Sequence, residues 1–386
     1  MGASIGRPLK PWKSSAWRIL MSELSQNSYR PNSVSAPGNT LGELLEERAM
    51  SQAELAERTG RPLKTINEIV KGKSAITSET AIQLERVLGT PAEFWNQREA
   101  NYRAYLARIK EAESLSSTKG WLKQFPLKEM IARKWIPDCA GDTTAQTISV
   151  LNYFKVATPE QWDAGWTQKK LAFRKAMNLK ADLGATAAWL RRGEILGEKF
   201  ESKPFDKERL LKSLGPIREL TKEQNPQIFL PKIQSILADC GVVLIVHQSL
   251  PKVPVFGASY WLNSEKALIQ LSNRGKSGDT LWFTLFHELC HVLYHSKKEM
   301  FVEVQGVESK KSPDELEADE FAAEKLIPKK AFEQWLVSNP SMTQEAVIAF
   351  AKQIGTHPGL VVGKLQHLGL VTYASSLRSL KCKYDW

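Results

Sequence analysis

The sequence predicts a multidomain, mainly α protein, with an all-α helix-turn-helix bundle near the amino end and an α+β domain near the carboxyl end. Three observations predict it. A chain of 386 residues that is 42% hydrophobic can fill two or three separate cores. Residues 41–88 repeat a helical apolar spacing broken by caps and glycines. Two short, mostly apolar runs, 242–246 and 267–271, precede an apolar helical run over 281–294.

The amino-terminal elements follow from local chemistry. Leu41, Leu44 and Leu45 mark the inner face of a first helix over 41–48. Ser51 and Glu54 form a capping box, in which each side chain can satisfy a backbone N–H of the other, and this opens a second helix ending near Arg58. Gly60 makes the turn. Pro62 starts a third helix with Leu63, Ile66, Ile69 and Val70 as its apolar positions, and Gly72 stops it. A fourth helix over 78–88 closes at Gly89 and Pro91. In such a motif the helix after the turn enters the DNA major groove. Arg61, Lys64, Thr65 and Asn67 could then reach bases or backbone, with Lys71 and Lys73 on phosphates. Charge tempers that reading. Residues 41–90 carry seven Lys/Arg against eight Asp/Glu, although the whole chain is +11, so phosphate attraction must come from other segments or from a homodimer.

Residues 111–229 read as helical. Trp121, Trp135, Tyr153, Phe154, Trp162, Trp166, Phe173 and Trp189 alternate with Lys and Arg. At helical spacing such aromatics are core, and the cations are the solvated face. The segment is expected to space the two ends. Residues 1–38, rich in Ser, Pro, Asn and basic side chains, read as a flexible tail, with Met21 an alternative start.

The carboxyl-terminal half carries the chemistry. His287-Glu-Leu-Cys-His291 reads H-E-x-x-H inside an apolar run. Residues four apart share a helix face, so both imidazoles can grip one ion, and Glu288 is placed to handle a bound water. A chance match is expected on the order of 0.01 times in such a chain. Solvated helix histidines would have polar neighbours, whereas Phe286, Leu289, Val292 and Leu293 require burial, and buried imidazoles need partners. His295 lies about 12 Å along a continuous helix from His287, too far to share the ion. Downstream, Ser312 and Pro313 open a helix that stops at Pro328. It sets Glu315 and Asp319 on one face with Ala322, close to Ala318 and Ala323. Glu315 is the expected third ligand, and Asp319 the carboxylate that orients a histidine. His357 and Tyr260 are candidates to assist the oxyanion, as is Tyr294.

These residues resemble the ImmA/IrrE metallopeptidases: His287-Glu-x-x-His291, then Glu315-x-x-x-Asp319-x-Phe-Ala-Ala and Ile327-Pro328. Upstream Leu250-Pro-x-Val-x-x-Phe-Gly257 and the late His357-Pro-Gly segment are similar too, over roughly 230–370. Cys290 stands where that family more usually has glycine. The resemblance implies a zincin-like fold, a Zn2+ ion (Mn2+ being the alternative), a ligand role for Glu315 and peptide-bond hydrolysis. Ser51-Gln-x-x-Leu-Ala-x-x-Thr-Gly60 resembles the XRE/Cro-type DNA-binding domain, and Pro91-Ala-Glu-Phe-Trp-Asn the HigA antitoxin branch.

The expected organisation is a tail (1–38), a helix-turn-helix domain (39–110), a helical connecting region (111–229) and a metallopeptidase domain (230–386). No apolar run approaches 18 residues, which excludes a helical membrane span. Four scattered cysteines suit free thiols in a reducing cytoplasm. The expected function is a cytoplasmic regulatory metalloendopeptidase that cleaves a repressor or antitoxin and binds DNA. The alternative is a HigA/XRE-type regulator or antitoxin whose metal site is sensory or structural.

Overall fold

The computed structural model describes residues 34–139, 141–165, 182–273, 277–304 and 312–384. The expected tail therefore lies almost wholly outside the described residues, as do Trp166 and Phe173. The chain divides into two compact units, Met1–Leu115 and Ser116–Trp386.

The first unit is all α: α1 (Pro37–Glu47), α2 (Gln52–Thr59), α3 (Leu63–Val70), α4 (Ser78–Leu88) and α5 (Ala92–Leu115). The capping box forms on its serine side, the Ser51 hydroxyl accepting from the Glu54 N–H at 3.1 Å. Gly60 closes α2 at φ +68°, a left-handed conformation that costs glycine least. Leu41, Leu45, Leu55, Ile66, Ile69, Leu84 and Trp95 fill the core. Most apolar residues at helical spacing thus meet where their periodicity places them, but Leu63, at the first position of α3, is 50% exposed and outside this core.

The second unit is a three-layer sandwich. Short helices α6 (Lys119–Leu122) and α7 (Leu127–Ala132) precede α8 (Thr143–Phe154), α9 (Leu183–Lys199), α10 (Lys207–Glu219) and α11 (Pro226–Asp239). Then come β1 (Val242–His247), β2 (Val255–Asn263) and β3 (Lys266–Ser272), followed by α12 (Gly278–Tyr294), β4 (Phe301–Val304) and α13 (Pro313–Leu326). Helices α14 (Lys329–Ser338), α15 (Gln344–Ile354) and α16 (Pro358–His367) complete the unit. The sheet order is β1-β3-β2-β4, with β1 parallel to β3 and the other pairs antiparallel.

One sheet face packs on α12 and the helices around it. That core holds Leu244, Ile269, Leu271, Trp282, Phe286, Leu289 and Phe350. The other face packs on α9 and its neighbours, with Phe125, Tyr153, Phe154, Trp162 and Trp189 against Val243, Ala258 and Leu268. The described aromatics of the middle region are therefore core, and Trp121 and Trp135 line its margin. The described residues of 116–229 do more than connect: α6 to α9 cover one face of the sheet, while Leu210, Leu214 and Ile217 of α10 join the core on the other.

Candidate metal centre

Helix α12 is buried along nearly its whole length, with His287, Glu288 and His291 at most 2% exposed. Helix α13 lies against it. Ser312 caps α13 by accepting from the Glu315 N–H at 3.3 Å, and Pro313 sits in the first turn, where its missing N–H is harmless. Ala318 and Ala322 are completely buried, so nothing larger than a methyl keeps α13 from α12. This close approach brings Glu315 and Asp319 to the histidines.

The donors converge. His287 Nε2 and His291 Nε2 stand 3.0 Å apart. Glu315 reaches both, at 3.1 Å from His287 Nε2 and 3.6 Å from His291 Nε2. Each histidine has an outer partner on its other nitrogen. His287 Nδ1 meets Asp319 Oδ1 at 3.0 Å, and His291 Nδ1 meets His295 Nδ1 at 2.7 Å. An Nδ1–H donated outward leaves Nε2 as a free lone pair, the tautomer a metal needs. Phe301 stacks on the His291 ring at 4.0 Å and holds its plane.

Electrostatics reflect the crowding. Burial works against a charge on His287, but its bonds to Asp319 and Glu315 outweigh burial and raise its pKa to about 10. Burial and the neighbouring His287 push His291 well below the usual imidazole range. Glu288 is pushed up to about 8, mainly by burial. Neither of its carboxylate oxygens finds a hydrogen-bond partner among the described residues. A buried, unpartnered carboxylate is costly, so one beside two convergent imidazoles marks a place for a ligand.

Gly257 makes room for Glu288. A Cβ there would lie 2.7 Å from Glu288 Oε1 and 2.5 Å from Thr284 Cγ2. Opposite Gly257 on β4 is Glu303, whose carboxyl is likewise raised by burial and senses His287. Sequence reading missed Glu303 and Phe301, because β4 has four residues and no flanking signal. It also excluded His295 on the premise of a helix continuous through it, which does not hold, and so missed that His295 is the outer partner of His291. The helix ends at Tyr294 and extended backbone follows at His295, which lets that ring turn back.

Two expected catalytic candidates stand elsewhere. Tyr260 lies on the opposite face of the sheet, bonded to Leu190 O at 3.1 Å and Gln270 Oε1 at 3.3 Å. Strand alternation explains this: Gly257 faces α12, so Tyr260, three residues on, faces α9. His357 caps α16, its Nδ1 accepting from the Gly359 N–H at 3.0 Å while Nε2 meets Gln224 at 3.3 Å. None of these partners belongs to the metal cluster. Tyr294 is 46% exposed beneath the Lys207 ammonium.

In the first unit, Lys64, Lys71 and Lys73 are exposed on and just beyond α3, and Thr65 is half-buried. Arg61 is engaged within the unit, with Nε on Gln83 at 2.6 Å and a guanidinium nitrogen on Glu79 at 3.0 Å. Asn67 bonds Gln52 at 3.3 Å. These two polar groups tie α3 to its neighbours as the chain stands.

Fold and site together define a class: a helix-turn-helix unit followed by an α+β unit with a buried H-E-x-x-H helix. Comparison with known families agrees. Residues 243–352 match the IrrE N-terminal-like domain of the M78 peptidases, and residues 41–95 match the helix-turn-helix family. The chain thus joins a segment that matches the helix-turn-helix family to a later segment that matches the IrrE-like domain of the M78 peptidases. No curated protein matches it. Among solved structures it is similar to a HigA-family addiction module antidote protein from Coxiella burnetii, at 30% identity over 21% of this chain and 90% of that one, with a TM-score of 0.20. It is also similar to the Pseudomonas aeruginosa antitoxin HigA solved with the higBA promoter, again at 30% identity, over 21% and 90% of the respective chains, with a TM-score of 0.21.

Proposed function

We propose that the chain is a regulatory metalloendopeptidase that works in the cytoplasm and uses its helix-turn-helix unit to engage DNA. One observation carries the reading: His287, His291 and Glu315 converge beside a buried Glu288 whose carboxylate oxygens have no partner at hydrogen-bond geometry, with only the Ser259 hydroxyl near enough to favour its charge. Two imidazoles and one carboxylate suit zinc, with manganese second, and three protein ligands leave a coordination position open. A divalent ion held there supplies Lewis-acid activation of water and of the scissile carbonyl.

The chain's own residues do the rest. Glu288 accepts the proton of the attacking water and returns it to the leaving amine. Asp319 and His295 hold the two imidazoles in the ligand tautomer. The unpartnered Glu288 argues against a purely structural or sensory ion, because ion binding alone has no use for that carboxylate. β4 is an edge strand, and Phe301 on it touches His291, so an extended substrate segment can pair along that edge. A repressor or antitoxin is the proposed substrate, a reading supported by the helix-turn-helix family match within the same chain. A homodimer would present two α3 helices to one operator.

The test is Glu288→Gln in the full-length protein. Metal content and operator binding should persist, while cleavage of a co-purified or neighbouring repressor should fall by about 10²–10⁴-fold. Cleavage that survives the substitution would refute the peptidase reading.

A further inference from the structure

A second group of donors lies where the end of α12 meets the first turn of α13. Cys290, His295 and Glu317 place a thiol, an imidazole and a carboxylate within 4.8 Å of one another. His295 Nε2 is 3.4 Å from Glu317 Oε2, and Asp314 Oδ1 is 3.9 Å from the same nitrogen. Cys290 is fully buried and His295 largely so, whereas Glu317 is exposed, so the group opens to solvent through its carboxylates. Sulfur, nitrogen and oxygen donors in this number make a zinc-type set, softer than the two-imidazole, one-carboxylate set beside it. The two sets share no residue.

We propose that Cys290, His295 and Glu317, with Asp314, form a second divalent-metal site, and that filling it weakens the first. The coupling is a matter of proton placement on His295. The first site needs a bare His291 Nε2, so the proton of His291 sits on Nδ1 and is donated across 2.7 Å to His295 Nδ1. Neutral His295 then carries its own proton on Nε2, facing Glu317 and Asp314. A metal at the second site needs that Nε2 bare. The proton must move to His295 Nδ1, where it would confront the Nδ1–H of His291. Two N–H groups cannot share a 2.7 Å contact, so His291 loses its outer partner. Binding also releases the Cys290 thiol proton to solvent as the sulfur–metal bond forms, with no change of oxidation state. Loss of an outer partner of a ligating histidine typically costs about 10–100-fold in metal affinity. Excess zinc should therefore inhibit by displacing the support of the first ion.

The existence of the second site stands by itself, while its antagonism rests on the proposed function of the first. Cobalt(II) separates the two. Full-length protein freed of metal by a chelator is titrated with cobalt(II) and followed by absorbance. The first site, without sulfur, gives visible d–d bands only. The second adds a near-ultraviolet thiolate-to-cobalt band. We expect two equivalents, the thiolate band growing with the second, and loss of that band in Cys290→Ser. The exposed Glu317→Gln, which leaves packing untouched, should weaken the second equivalent about tenfold or more. Glu315→Gln should remove the first equivalent and spare the band. Saturation at one equivalent without a thiolate band overturns the proposal, as does a band that persists in Cys290→Ser. If Cys290→Ser does not fold, an unchanged second equivalent in Glu317→Gln overturns it instead. A first equivalent indifferent to Glu315→Gln would count against the first site alone. Zinc competition then reads the coupling: first-site affinity should drop about 10–100-fold when the second site fills, and not in Cys290→Ser.

Discussion

Glu288 is placed by a residue with no side chain. The β2 backbone passes so close to α12 that Gly257→Ala would press a methyl against Glu288 Oε1 and Thr284. We expect the alanine variant to lose about 1–3 kcal/mol of stability. Hydrolysis should fall as well, because the carboxylate must swing from its place. Urea unfolding and a cleavage assay read both effects, and wild-type values in both would refute the packing argument. Asp319 offers a complementary test. As the outer partner of His287 it fixes the tautomer without touching the ion. Asp319→Asn should lower zinc affinity about 10–100-fold in a chelator competition, with little change in melting temperature. Unaltered affinity would reduce Asp319 to a surface carboxylate.

The pair α12 and α13 is the element that makes the centre. In the proposed centre one helix contributes two imidazoles and the Glu288 carboxylate, and the other contributes Glu315 and the Asp319 carboxylate that meets His287. Their spacing depends on Ala318 and Ala322. Ala322→Leu should force the helices apart, at a cost of about 1–3 kcal/mol. Because Glu315 sits two turns earlier on the same helix, metal affinity should decline together with stability. Isothermal titration of the folded variant checks this, and intact affinity would show that Glu315 is placed by something other than helix packing. The strands behave differently. β1 and β3 announce themselves by short, mostly apolar runs buried on both faces. β2 contains Gly257 and an Asn end, and β4 is only four residues long, so neither stands out until pairing reveals it.

Across the molecule, the second unit owes its stability to two cores on either side of one sheet. His247 sits at the margin of one of them, stacked on Trp189 at 5.2 Å and bonded to Gln270 at 2.7 Å. Burial, aided by the Arg192 and Arg133 charges, lowers its pKa to about 4. The unfolded imidazole takes up its proton near 6.5, so between those values the unfolded state binds more protons. Stability therefore falls as pH drops from 6.5 toward 4, by about 3 kcal/mol from this group. His247→Gln should flatten that limb in urea unfolding measured from pH 4 to 7. Superimposable acid limbs would show that the ring is already solvated in the fold. No helix among the described residues is long and apolar enough to cross a membrane.

Much of this was legible in one dimension. Helix caps, the H-E-x-x-H spacing and the Glu315–Asp319 pair are local patterns, because an α-helix sets which residues share a face within a few positions of each other. The apolar surroundings of His287 and His291 likewise declared their burial. Sequence reasoning went astray where the answer depended on pairing between distant segments. Tyr260 and His357 were chosen by residue type. Yet strand register sends Tyr260 to the far face of the sheet, and His357 is consumed in capping its own helix. Glu303, Gly257 and the reach of His295 back to His291 became visible only once β4, β2 and α13 were packed around α12. A linear chain states which side chains can share an element, but contacts between elements depend on register, close approach and burial, and those exist only in the folded molecule.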